Sequence, residues 1–97
     1  MRNPTAIIAE DEPILRHELR QELSTLWPEL EVRAEAADGS EALQAIQDTA
    51  PDVAFLDIEM PGENGLEVAR RVNGRCHVVF VTAYDKYAVA ASRSLAR

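Results

Sequence analysis

Carboxylates stand where short apolar runs stop. Glu10, Asp11 and Glu12 follow TAIIA (5–9) directly, and Asp57 ends the run DVAFLD, with Glu59 two residues on. Thr82 follows a third run, HVVFV (77–81). A carboxylate can attack phosphorus as a nucleophile or ligate a hard cation through oxygen. Three carboxylates within a few ångströms repel and raise one another's pKa unless something positive joins them. Mg²⁺ meets that need, because it takes oxygen ligands in an octahedron, one or two carboxylates among them, and keeps several waters. The Thr82 hydroxyl would then donate to an anion held at the metal. Taken singly, each residue has a plainer use: Glu10 and Asp11 complement a helix N-terminus, and Asp57 caps a turn.

Whether these acids meet depends on the elements that carry them. TAIIA, DVAFL (52–56) and HVVFV do not alternate polar with apolar residues, and they have the length of strands covered on both faces, as in parallel sheets. LEVRAEA (30–36) alternates and predicts a strand nearer water, at a sheet edge. Between the runs lie helical patterns. Leu15, Leu19, Leu23 and Trp27 recur every four residues between Pro13 and Pro28. A second helix starts near Asp38-Gly39-Ser40, buries Ala42, Leu43, Ala45 and Ile46, and closes before Pro51. A third spans about 65–72 with Leu66, Ala69 and Val72 inward, and a fourth starts at Asp85. This alternation predicts right-handed βαβ units in one α/β domain over residues 1–97. In such sheets ligands bind outside the carboxyl ends of the strands. Strands one and three as neighbours would bring Glu10, Asp11 and Asp57 into one depression.

Composition narrows the function. The chain has 97 residues, 46% of them hydrophobic, enough for one folded domain. Its net charge of −7 argues against direct binding of nucleic acid or an anionic membrane. The single Cys76 can form no internal disulfide and is expected to be a buried or half-buried thiol. No run approaches membrane-spanning length and no signal peptide is evident, so a cytoplasmic home is expected.

The motifs IIAEDEP (7–13), ADGSEAL (37–43), DVAFLDIEMPGENGLE (52–67) and VVFVTAYD (78–85) together resemble the receiver domain of two-component response regulators. FVTAYDKYAV (80–89) is especially similar to the LytTR type, in which a receiver controls a DNA-binding output domain. The resemblance covers residues 5 to about 91, with 92–97 a non-family tail. It implies a flavodoxin-like α/β fold with sheet order 2-1-3-4. It implies that Asp57 accepts a phosphoryl group from a sensor histidine kinase, that the domain is not itself an enzyme, and that Mg²⁺ is the cofactor. Asp11 would bind the metal directly with Asp57, Glu10 would assist, and Glu59 would offer its backbone carbonyl. Thr82 would hold a phosphoryl oxygen, and Ala83 would leave room for the group.

The end of the chain departs from the pattern. Receivers continue into a fifth strand, an active-site lysine and a fifth helix, whereas this sequence stops at Arg97, fifteen residues after Thr82. Lys86 reads as a surface residue rather than that lysine. The expectations are therefore a receiver cut short, phosphorylation that is slow or absent, and self-association, as a homodimer or larger, through an exposed fourth strand. An alternative from another class is a Mg²⁺-dependent phosphodiester-cleaving domain of the topoisomerase-primase kind, using Glu10, Asp57 and Glu59.

Overall fold

The computed structural model describes residues 2–81. Thr82, Ala83, Lys86 and the helix expected from Asp85 lie outside the described residues. The elements run β1 (Thr5–Ala9), α1 (Pro13–Leu26), β2 (Glu31–Ala36), α2 (Gly39–Thr49), β3 (Val53–Asp57), α3 (Gly65–Val72) and β4 (His77–Val81). The four strands form one sheet in the order β2-β1-β3-β4, every pair parallel. The expected flavodoxin-like order 2-1-3-4 is present.

The period of two along a strand splits the core between the sheet's faces. Ile7, Ala9, Ala54 and Leu56 point to one side, where Ala42 and Ile46 of α2 and Val68 and Val72 of α3 close over them. Ala6, Ile8, Val53 and Phe55 point to the other, with Leu30 buried and Leu19, Leu23 and Val32 half-buried around them. No residue of α1 is fully buried. Ile14, Leu26 and Trp27 of its pattern are exposed, and Trp27 sits just past the helix as its C-cap. The alternating run at 30–36 is the sheet's edge, as expected, with the strand itself starting at Glu31.

Two expectations fail. Leu66 is 48% exposed, and Val68 is the buried residue instead. Helix α3 is phased by Gly65, which is buried against the end of β3, so its inward line runs Gly65, Val68, Val72 and carries Leu66 outward. HVVFV is not covered on both faces, against the reading of its pattern but in agreement with the expectation of an exposed fourth strand: Val79 and Phe80 are 44% and 40% exposed. Helix α2 packs on β1 and β2, and α1 packs on β1, so β4 lies beyond their reach at the margin of the described sheet. Cys76 is half-buried, as its sequence context implied.

Helix ends are settled locally. The Asp38 side chain accepts the Glu41 N–H at 2.8 Å to start α2. Asn64 and Glu67 form a reciprocal capping box at α3, with bonds of 2.9 and 3.0 Å. Both helices stop at a residue in the left-handed region, Ala50 and Asn73.

Candidate functional site

Two neighbouring strands deliver their acids to the same edge. Ala9, the last residue of β1, lies beside Leu56 of β3 in parallel register, so the chain after Ala9 emerges next to Asp57. Glu10 and Asp57 are buried, at 4% and 0% exposure. One ligand oxygen each from Glu10, Asp11 and Asp57 lies within 4.8 Å of the others. The three acids singled out in the sequence are thus together. Glu12, the third acid of that run, is exposed and begins α1.

Each member is held differently. The Glu10 N–H donates to the Ala36 carbonyl of β2 at 3.0 Å. Its own carbonyl accepts from the Arg16 guanidinium at 2.7 Å, and its carboxylate accepts the Glu12 N–H at 3.0 Å. Burial pushes the Glu10 carboxyl up to about 7; the Glu12 N–H opposes the shift and the charge on Asp57 adds to it. The Asp57 carboxylate accepts the Glu59 N–H at 3.2 Å, which folds the chain back over the strand end. Oδ1 of Asp11 is buried and accepts no hydrogen bond among the described residues. A buried carboxylate oxygen in that position is costly, and a cation would satisfy it. The cluster offers oxygen donors alone, the donor type that Mg²⁺ takes rather than a soft metal. The residues present therefore fit the ion the sequence called for.

The loop after Asp57 is pinned by glycines. The Gly65 N–H donates to the Ile58 carbonyl at 2.9 Å, and a Cβ at Gly65 would overlap the Asp57 carbonyl oxygen. A Cβ at Gly39 would overlap the Glu63 carbonyl oxygen in the same way. Glu63 is further tied to Arg71 of α3 by an ion pair of 2.6 Å. An open depression lined by Asp11, Glu59, Met60, Pro61 and Asn64 lies beside the acids. The Gly65 contact has no signal in the sequence beyond its place in the motif DVAFLDIEMPGENGLE. The capping box is legible as Asn64-x-x-Glu67. Arg16 had no local signal, because nothing in the sequence ties it to a carbonyl six residues earlier.

Val81, the last residue of β4, pairs with Asp57. Thr82 comes next and lies outside the described residues, so its part in the site stays an expectation. The carboxylate of Glu59 is not in the group that converges, and the set Glu10, Asp57 and Glu59 needed for a phosphodiester-cleaving centre is not formed among the described residues. No described helix is long and apolar enough to cross a membrane.

Comparison with known proteins points the same way. The chain is 56% identical over 90 residues to an uncharacterized response regulatory protein of Vibrio cholerae, covering 90% of this chain and 34% of that protein. It is 39% identical over 88 residues to the sensory transduction protein LytT of Bacillus subtilis, covering 88% of this chain and 36% of that one. Its fold is similar to the signal receiver domain of the putative response regulator NarL from Mycobacterium tuberculosis, with a TM-score of 0.79 and 31% identity over 98% of this chain and 78% of that one. The chain spans about a third of the length of the curated relatives it matches. Residues 6–95 match the response regulator receiver domain, and the chain belongs to that family.

Proposed function

We propose that this receiver accepts a phosphoryl group on Asp57 from a sensor histidine kinase and does so with Mg²⁺ bound at the acidic cluster. Receiver domains in general are phosphorylated by such kinases, use Mg²⁺ at an acidic pocket and are not enzymes in the usual sense. The observation that carries the reading for this chain is the convergence of Glu10, Asp11 and Asp57 within 4.8 Å at the ends of β1 and β3.

Asp11 and Asp57 would hold the ion with the Glu59 backbone carbonyl, and Glu10 would assist, through water where its longer side chain requires. A bound divalent ion neutralises charge on the equatorial phosphoryl oxygens during transfer. Asp57 does the bond-making: a carboxylate oxygen attacks phosphorus in line as the P–N bond of the phosphohistidine breaks. Burial of Asp57 at the strand end holds the nucleophile in one place, which lowers the entropy cost of alignment. Thr82 would donate its hydroxyl to a phosphoryl oxygen.

The decisive measurement is intact mass after incubation with Mg²⁺ and a small phosphodonor. The expected result is the slow gain of one phosphoryl group, absent in Asp57→Asn and absent when Mg²⁺ is chelated. A wild-type protein that gains nothing in the presence of the ion, or an Asp57→Asn variant that still gains the group, overturns the reading. For the whole protein the reading extends to transcription regulation, supported by relatives named as transcriptional regulatory proteins; a cytoplasmic location and the lack of nucleic-acid contact by this segment, whose net charge is −7, belong to the same proposal. Self-association through β4 belongs to the same proposal, supported by exposed Val79 and Phe80. Sedimentation showing a monomer at every concentration would remove that part alone.

A further inference from the structure

Arg16 stands at the point where the acidic cluster is joined to the rest of the fold. Its guanidinium donates to the Glu10 carbonyl at 2.7 Å, and its Nε lies 3.3 Å from the Glu35 carboxylate of β2. Glu35 is held from its other side by Arg20, one helical turn further along α1. The side chain of Arg16 is only 21% exposed. The Glu10 carbonyl belongs to the peptide linking Glu10 to Asp11, so the plane of that peptide sets the direction in which both side chains leave the backbone. The Ala36 carbonyl fixes the other flank of Glu10 through its N–H. Arg16 closes the remaining side, using the planar fork that lets one guanidinium serve a carbonyl and a carboxylate together.

We infer that Arg16 is a positioning residue for the acidic cluster: by holding the Glu10–Asp11 peptide against β2 it aims both carboxylates at the shared cation site. This rests on the proposed metal site for its functional consequence, though not for the geometry itself. Glu35 is the anchor of the device, and the first turn of α1 is its lever. An outer contact of this kind sets ligand orientation without touching the ion, and removing one commonly costs metal affinity on the order of tenfold.

The test compares Arg16→Ala, Arg16→Lys and Arg20→Ala. The first readout is metal-free: the amide resonance and exchange protection of Glu12, whose N–H donates to the Glu10 carboxylate. Arg16→Ala should shift that resonance and lower its protection, Arg16→Lys should do so partially, and Arg20→Ala should leave it in place. The second readout is Mg²⁺ titrated calorimetrically, with affinity falling about tenfold in Arg16→Ala, severalfold in Arg16→Lys and little in Arg20→Ala. A purely structural role for Arg16 predicts instead a lowered melting temperature with unchanged Mg²⁺ affinity, and that result overturns the inference. So does a Glu12 amide indifferent to Arg16→Ala. If wild type ignores Mg²⁺ while the Glu12 amide responds to Arg16, the metal reading falls and the positioning role stands. Should Arg16→Ala not fold, Arg16→Lys decides by the same two readouts.

Discussion

Strand β3 has an aspartate at each end, and the two are treated in opposite ways. Asp52, just before the strand, receives both terminal nitrogens of Arg2 at 2.9 and 3.0 Å and the Thr5 N–H at 2.8 Å. Those bonds hold its carboxyl down at about 2, the Arg2 contact contributing most. Asp57, at the other end, is buried beside Glu10 and Asp11, and the Glu10 carboxyl is pushed up to about 7. One end satisfies its acid from within the chain; the other gathers acids of like charge. A fold gains stability from the first arrangement, and the second costs stability until a cation arrives. The contrast separates a structural carboxylate from a functional one without reference to any relative.

Mg²⁺ should show the contrast most strongly. At a concentration about 100-fold above its dissociation constant, the ion should stabilise wild type by about 2.7 kcal/mol. Arg2→Ala should gain as much and Asp57→Asn much less, and chemical denaturation with and without the ion reads the difference. Equal gains in both variants would mean that the ion does not use the Asp57 end.

Gly65→Ala should come next. Its Cβ would overlap the Asp57 carbonyl oxygen, so α3 or the strand end must move. Overpacking of this kind costs about 1–3 kcal/mol, and Mg²⁺ affinity should fall with it. Unchanged stability and affinity would show that the loop is looser than its contacts indicate.

A smaller effect, with a telling sign, is expected of Asp57→Asn in chelated buffer. Removing one charge from the cluster should stabilise the metal-free protein at pH 7 by about 1 kcal/mol. In wild type under the same conditions stability should fall as pH rises from about 4.5 to about 7, because the folded Glu10 carboxyl keeps its proton when the unfolded one has lost it. A destabilised Asp57→Asn protein would refute the like-charge account.

The smallest effect belongs to Asp52. Its folded pKa is lowered from 3.8 to about 2, so its contribution is complete above 3.8 and lost as pH falls through about 2. Asp52 and Arg2 are solvent-accessible, which keeps the contribution modest. Asp52→Asn should flatten the acid limb of the stability curve below pH 4, and an unaltered limb would show that the pair contributes nothing measurable.

Much of this was legible in advance. The strands β1 and β3, the edge position of β2, the helix starts at Pro13 and Gly39 and the stop near Asn73 follow from periods of two and 3.6 and from residues that start or end helices. The acids of the cluster were legible for the same reason, since each directly follows an apolar run or comes one residue later. The phase of α3 was not, because Leu66 and Val68 are equally apolar and only the close approach of Gly65 to Asp57 selects between them. The pattern of β4 misleads as well, since a continuous apolar run has the same appearance whether or not a helix lies over it; its exposure agrees with the expectation of an exposed fourth strand, which did not come from that pattern.

Local chemistry alone determined which residues form strands, where helices begin, and that carboxylates stand at the strand ends. Those properties depend on neighbours a few positions away. Tertiary structure decided that β1 lies next to β3, and with it what depends on that adjacency: the meeting of Asp11 with Asp57 and the clasp of Arg2 on Asp52. Pairings between residues 46 or 50 positions apart carry no periodic signature. They exist only once the sheet has chosen its strand order.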